Sequence, residues 1–135
     1  MAQLDVDGRD ALHYAARDGD VEEIESRLDA GVDVNLVDKH QYIPLHFAAD
    51  NGRVDAVAAL LDAGADIHAR TKLNRAPLHL AVERWRQCPD GSLIRLLIDR
   101  GADLSATEGR ERTPADVAAG QFEFPDELNR MLTHE

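Results

Sequence analysis

Disulfide chemistry is missing from this chain: Cys88 is its single cysteine, so no intramolecular bridge can form. A reducing, cytoplasmic setting is the simplest expectation. No apolar run approaches the roughly 20 residues needed to span a bilayer. The opening MAQLDVDGRD has neither the basic nor the apolar region of a signal peptide, so none is expected. Cations are scarce, with 15 Lys and Arg against 26 Asp and Glu, a formal net charge of -11. Nucleic acids and anionic membrane surfaces both call for a basic face, so neither is expected as a partner. The sequence also lacks H-E-x-x-H, C-x-x-C and any glycine-rich phosphate loop. No metal and no cofactor are expected.

What is present suits a folded domain. The 135 residues are 44% hydrophobic and 30% charged, enough for one unit, residues 1–135, to bury its own core. The charge is sorted along the chain. Asp20 to Asp38 carries Asp20, Glu22, Glu23, Glu25, Asp29, Asp33 and Asp38 against Arg27 alone. Lys39, Lys72, Arg75, Arg110 and Arg112, by contrast, recur at one place in a repeating pattern.

That pattern has a period of 33. DALHYAARDG from Asp10, IPLHFAADNG from Ile43 and APLHLAVERW from Ala76 align, with Leu12, Leu45 and Leu78 in register and His13, His46 and His79 beside them. A second block follows each: LDAGVDVN from Leu28, LDAGADIH from Leu61 and IDRGADLS from Ile98. The third lies 37 residues after the second, so four residues have entered between Arg84 and Leu93. A degenerate fourth copy reads RTPADVAAG from Arg112. Repeats of this length signal a stacked array.

Each copy reads as two helices. Leu12, Ala15 and Ala16, like Leu45, Ala48 and Ala49, fall at i, i+3, i+4 and form one helical stripe. Pro44, Pro77 and Pro114 stand at a first helical position, where the missing N–H costs nothing. In the second helices Val54, Val57, Leu60 and Leu61 make the apolar stripe, matched by Ile94, Leu97 and Ile98. Gly31, Gly64 and Gly101 end them in the left-handed conformation. Asp10 and Thr113 can cap first helices; Ile43 and Ala76 cannot, a loss of ~1 kcal/mol each. Ile43→Thr is therefore expected to stabilise unless the isoleucine packs against the neighbouring turn. No single copy could bury its apolar face, so the copies must stack.

These motifs resemble the ankyrin repeat, whose pattern is a turn, T-P-L-H-x-A-A, and a second helix ending in L-L-x-x-G-A-D. The resemblance covers about Asp5 to the C-terminus. It implies an all-α solenoid of stacked helix–turn–helix units joined by extended β-turn loops. The repeats fall at about 5–37, 38–70, 71–107 with the insertion, and a capping 108–135. Asp10-Ala11 replaces Thr-Pro in the first copy, and the fourth keeps Thr113-Pro114 but lacks the leucine and histidine.

Catalytic readings find little support. The family resemblance makes His13, His46 and His79 backbone-bonding residues, and stacked repeats would hold them too far apart to share a zinc ion at about 2.0–2.1 Å. His40, His68 and His134 are isolated. Cys88, in RWRQCPDGS, has no base in view, although Arg84 and Arg86 could lower its pKa. No enzyme is expected.

The resemblance implies instead a surface that grips another protein with its turn tips and the concave face of its first helices. Carried over, the tip positions are Val6, Asp7 and Arg9; Lys39, His40 and Tyr42; Lys72, Leu73 and Arg75; Gly109, Arg110 and Arg112. First-helix ends add Arg17 and Asp18, Asp50 and Asn51, Glu83 and Arg84. The insertion RWRQCPDG holds the lone tryptophan, Trp85, flanked by Arg84 and Arg86, and is expected to project from the groove side as an anchor or to plug the core. The binding face is thus expected at Lys39, His40, Tyr42, Asp50, Asn51, Lys72, Leu73, Arg75, Arg84, Trp85, Arg86, Arg110 and Arg112, with an acidic partner surface opposite it. The function implied is a non-catalytic interaction module, in its sharper form an antidote that blocks a cognate toxin or enzyme. The alternative is a repeat protein that assembles with itself. Light scattering separates the two: the module should keep the mass of one chain at all concentrations, and a dimer would favour self-assembly.

Overall fold

The computed structural model describes residues 4–133, and His134 lies outside them. Eight α-helices and no strand occur among the described residues. Four first helices, α1 (Ala11–Asp18), α3 (Pro44–Asp50), α5 (Pro77–Glu83) and α7 (Pro114–Ala119), alternate with four second helices, α2 (Val21–Asp29), α4 (Val54–Asp62), α6 (Ser92–Asp99) and α8 (Asp126–Thr133). The first helices pack in one row, α1 on α3 on α5 on α7, and α2, α4 and α6 pack in a second row behind them. The alanines at i+3 and i+4 make the close spacing possible: Ala15, Ala16, Ala48, Ala49 and Ala81 are all buried between rows.

The second helices end as their glycines require. Gly31, Gly64 and Gly101 have φ of 92°, 97° and 95°. The following N–H groups of Val32, Ala65 and Ala102 turn back to the carbonyls of Arg27, Leu60 and Leu97 at 3.2, 2.9 and 3.0 Å. That return satisfies carbonyls that would otherwise end the helix unpaired.

Each tip is locked by the same small device. Its first residue accepts the backbone N–H of its fifth: Asp5 and Asp38 do so through Oδ1 at 3.0 and 2.9 Å, Thr71 through Oγ1 at 3.3 Å and Glu108 through Oε1 at 3.3 Å. Gly8, Gln41, Asn74 and Glu111 then take positive φ, 76°, 64°, 63° and 61°, to reverse the chain. One backbone bond joins each tip to the next: Lys39 N–H to Asp7, Lys72 to His40 and Gly109 to Leu73, at 2.9, 3.0 and 2.9 Å. The tips therefore form a ladder with fixed spacing.

The three period-33 histidines hold helix to tip. Nδ1 of His13, His46 and His79 accepts the N–H of Asp10, Ile43 and Ala76 at 3.1, 3.0 and 3.1 Å. Nε2 donates to the carbonyls of Leu36, Ala69 and Ala106, in the segment leading to the next tip, at 2.9, 2.9 and 3.0 Å. Each ring replaces the missing half of a helix cap and at the same time binds its repeat to the one that follows. Only a neutral imidazole can do both, because a proton on Nδ1 would face another N–H.

The fold corrects one expectation. Ile43 does lack a capping side chain, but it is only 2% exposed and belongs to the continuous core. Its buried methyl groups outweigh the hydroxyl bond that threonine would offer, so Ile43→Thr should destabilise by about 1 kcal/mol in a urea titration.

Acid should attack the histidine bridges before anything else. Burial lowers the pKa of all three rings, that of His46 from 6.5 to about 4, and the bonds to backbone carbonyls only partly oppose it. A depressed histidine pKa means that the unfolded chain takes up protons first. The stability is complete above pH 6.5 and is lost as pH falls toward about 4. His46 alone should account for on the order of 3 kcal/mol across that window. Urea midpoints measured from pH 7 to 4.5 should fall steadily, and His46→Gln should flatten the slope while lowering stability at pH 7.

Candidate functional site

The tips do not present the row of free cations that their sequence suggests. Arg9 pairs with Asp38 at 2.9 Å, and the Asp38 side chain is fully buried; Lys39 pairs with Asp7 at 2.9 Å. Arg75 reaches Glu83 at 2.7 Å and Glu108 at 3.7 Å, and Arg112 reaches Glu108 at 3.1 Å. The Arg112 guanidinium and two backbone N–H groups draw the Glu108 carboxyl down to about 2, against the cost of its burial. Of the tip cations, Lys72 and Arg110 alone have no ion pair among the described residues. Segments 5–9, 38–42, 71–75 and 108–112 together hold six cations and five carboxylates. The tip face is nearly neutral on a molecule of net charge -11, so the expected steering of an acidic partner surface loses its basis. The acids responsible sit in a neighbouring tip (Asp38, Asp7, and Glu108 for Arg75), in the same tip (Glu108 for Arg112) or at the opposite end of the first helix (Glu83), where a count of tip cations does not register them.

Between the second and third tips the groove opens into a cleft of about 540 Å³. It gathers His40, Tyr42, Asp50, Lys72 and Leu73 from the expected set and adds Arg9, Phe47 and Thr71. Phe47 forms its centre: the Tyr42 ring lies 5.3 Å away, and the Arg9 guanidinium sits 4.9 Å over its face. Phe47 went unnoticed in the sequence although it occupies the variable position of L-H-x-A, where Tyr14 and Leu80 stand in the neighbouring repeats. Burial raises the pKa of Asp50 at the far wall, opposed by Arg84 at 3.3 Å. Burial also raises that of Tyr42, with the Asp50 charge adding to the effect.

The rest of the expected set lies elsewhere. Asn51 spends its side-chain amide on the Phe47 carbonyl at 2.8 Å. Arg84, Trp85 and Arg86 follow the C-terminal end of α5, one helix length from the tips. The insertion does not project from the groove. Residues Trp85–Gln87 form a short 3-10 turn, and a Cβ added at Gly52, between α3 and α4, would sit 2.7 Å from the Gln87 carbonyl oxygen. On its other side Gly91, at φ 80°, lies so close to α8 that an added Cβ would overlap the Leu128 side chain. The Trp85 ring packs edge-on to Phe124 at 5.7 Å. Arg86 covers it at 4.4 Å and donates to the Phe122 carbonyl at 2.9 Å. The indole N–H is buried and has no hydrogen-bond partner among the described residues. This geometry is that of a plug that ties the third helix pair to the last one.

No group of three His, Cys, Asp or Glu residues is arranged to hold a metal among the described residues. Cys88 Sγ has Asp90 at 3.3 Å and Ser92 at 3.2 Å, and neither is a base suited to raising a nucleophilic thiolate. No described helix is long and apolar enough to cross a membrane.

Comparison with known proteins agrees with this geometry. The model described as ankyrin repeats, in three copies, matches residues 1–71, and the single ankyrin-repeat model matches residues 74–108. A search of curated proteins gave no match. The last helix pair, α7 and α8, falls outside both matched ranges.

The packing of Trp85 predicts a stability effect. Trp85→Ala should cost about 2 kcal/mol in urea unfolding, whereas Arg110→Ala, which removes no ion pair, should stay within about 0.5 kcal/mol of the parent.

Proposed function

The chain belongs to the ankyrin-repeat family, and from that premise we propose that it is a non-catalytic module that binds one partner protein through its tips and first-helix groove. Ankyrin repeats generally bind other proteins and are typically non-catalytic. The observation that carries the reading is the Tyr42–Phe47 cleft. It is a concave, partly apolar site held between two tips whose spacing is fixed by backbone hydrogen bonds, and such preorganisation reduces the entropy lost on binding. Tyrosine is among the side chains that most often dominate interfaces. The contact residues are proposed as His40, Tyr42, Phe47, Asp50, Lys72, Leu73 and Arg110. Arg75, Arg112 and Lys39 support the tips from behind through their ion pairs.

In its sharper form the module neutralises its partner by covering a working surface, as an antidote does. A monomer in a reducing, cytoplasmic compartment suits that role and suits an unpaired cysteine. Affinity capture from the source cells, followed by reconstitution with the purified partner, supplies the test. Tyr42→Ala should weaken binding by about 2 kcal/mol. Charge reversal at Glu22, Glu23 and Glu25 on α2 should leave it unchanged. Loss of binding in the α2 variants with no effect of Tyr42→Ala would move the partner to the acidic second-helix face.

A further inference from the structure

The polar groups around the Tyr42–Phe47 cleft divide into those already satisfied and those left over. Arg9 is held by Asp38 at 2.9 Å, Asp50 by Arg84 at 3.3 Å, and the Thr71 hydroxyl takes the Arg75 N–H at 3.3 Å. Left over are the Lys72 ammonium, the His40 imidazole and the Tyr42 hydroxyl, whose side chains have no hydrogen bond or ion pair among the described residues. All three can donate a hydrogen bond. The same cleft is lined by the half-buried Phe47 ring and by the side chain of Leu73, a large apolar group that is 64% exposed.

A complementary occupant must bring apolar surface for Phe47 and Leu73 and an acceptor for the three donors. A cation would meet Lys72 unscreened. We propose that the cleft receives an aromatic or leucine side chain from an extended or helical segment of a partner protein, with an aspartate or glutamate next to it that pairs with Lys72. The cleft volume of about 540 Å³ holds one large side chain together with the backbone that carries it. Because the whole chain carries -11, the matching segment has one carboxylate rather than an acidic run. Lys72 is exposed at the rim of the cleft, so its loss is felt mainly in association and in the salt dependence of binding.

This inference rests on the tip-and-groove reading, and a selection experiment separates the two. A library of random displayed peptides is selected on the immobilised full chain, and individual synthetic peptides are then measured by surface plasmon resonance. Enriched peptides should share an aromatic residue or leucine with Asp or Glu within two positions. Lys72→Glu should weaken them about tenfold, mainly through slower association, and Leu73→Asp by a similar factor. Both residues are exposed, so thermal melts of the variants should match the parent and exclude unfolding as the cause. Enriched peptides that carry Lys or Arg beside the apolar residue, yet still respond to Leu73→Asp, would overturn the acidic-flanked occupant and leave the groove reading standing. Peptides indifferent to both variants but lost on charge reversal at Glu22 and Glu25 would overturn both. A selection that yields no common motif counts against the proposed occupant.

Discussion

The neutral imidazole bridging two repeats is the interaction on which the rest of this structure depends. A helix that begins with Pro after Ile43 or Ala76 has no N-cap side chain to accept a first-turn N–H. His46 and His79 make the reciprocal half of the cap from inside the helix, accepting the N–H of Ile43 and Ala76, and use their other nitrogen to hold the chain that leads to the next tip. Capping and stacking thus become one requirement. The degenerate fourth copy obeys the same logic. Asp116 replaces the histidine there and closes a reciprocal cap with Thr113 at 3.0 and 3.2 Å.

Because each bridge ends near the next tip, the tips inherit their rigidity from the core. The backbone ladder spaces them, and buried acids with arginines from the preceding repeat brace them, as Asp38 does with Arg9 and Glu108 with Arg75. Most of the charge at the tips is consumed in building them. What this pairing leaves open is small: the Tyr42–Phe47 cleft, the exposed Leu73, and Lys72, which has no ion pair among the described residues.

The fold was legible in the sequence because its determinants are local and periodic. The Leu-His pair, the helix-starting prolines and the terminal glycines recur at fixed spacing, and each has one structural meaning. The site was less legible, for the opposite reason. Whether Arg75 and Arg112 are free depends on Glu83 and Glu108, and pairings of that kind carry no periodic mark. Phe47 stands at the one variable position of a conserved-looking motif, where the pattern says nothing about exposure. The sequence leaves Trp85 open between anchor and plug, because its partner, Phe124, lies in the connection from α7 to α8, outside the repeated motifs. Ile43 is the poor cap that its residue type implies, but propensity at a helix end carries no information about the core behind it.

Three neutral rings, each protonated on Nε2 alone, couple the repeats. Long-range proton–nitrogen correlation spectra of the histidine side chains test it most directly. His13, His46 and His79 should each show a protonated Nε2 and an unprotonated Nδ1 at pH 7, and His46 should keep that form at pH 5, where a histidine of ordinary pKa 6.5 is charged. Rings protonated on both nitrogens at pH 7, or carrying the proton on Nδ1, would contradict the bridge and the account built on it.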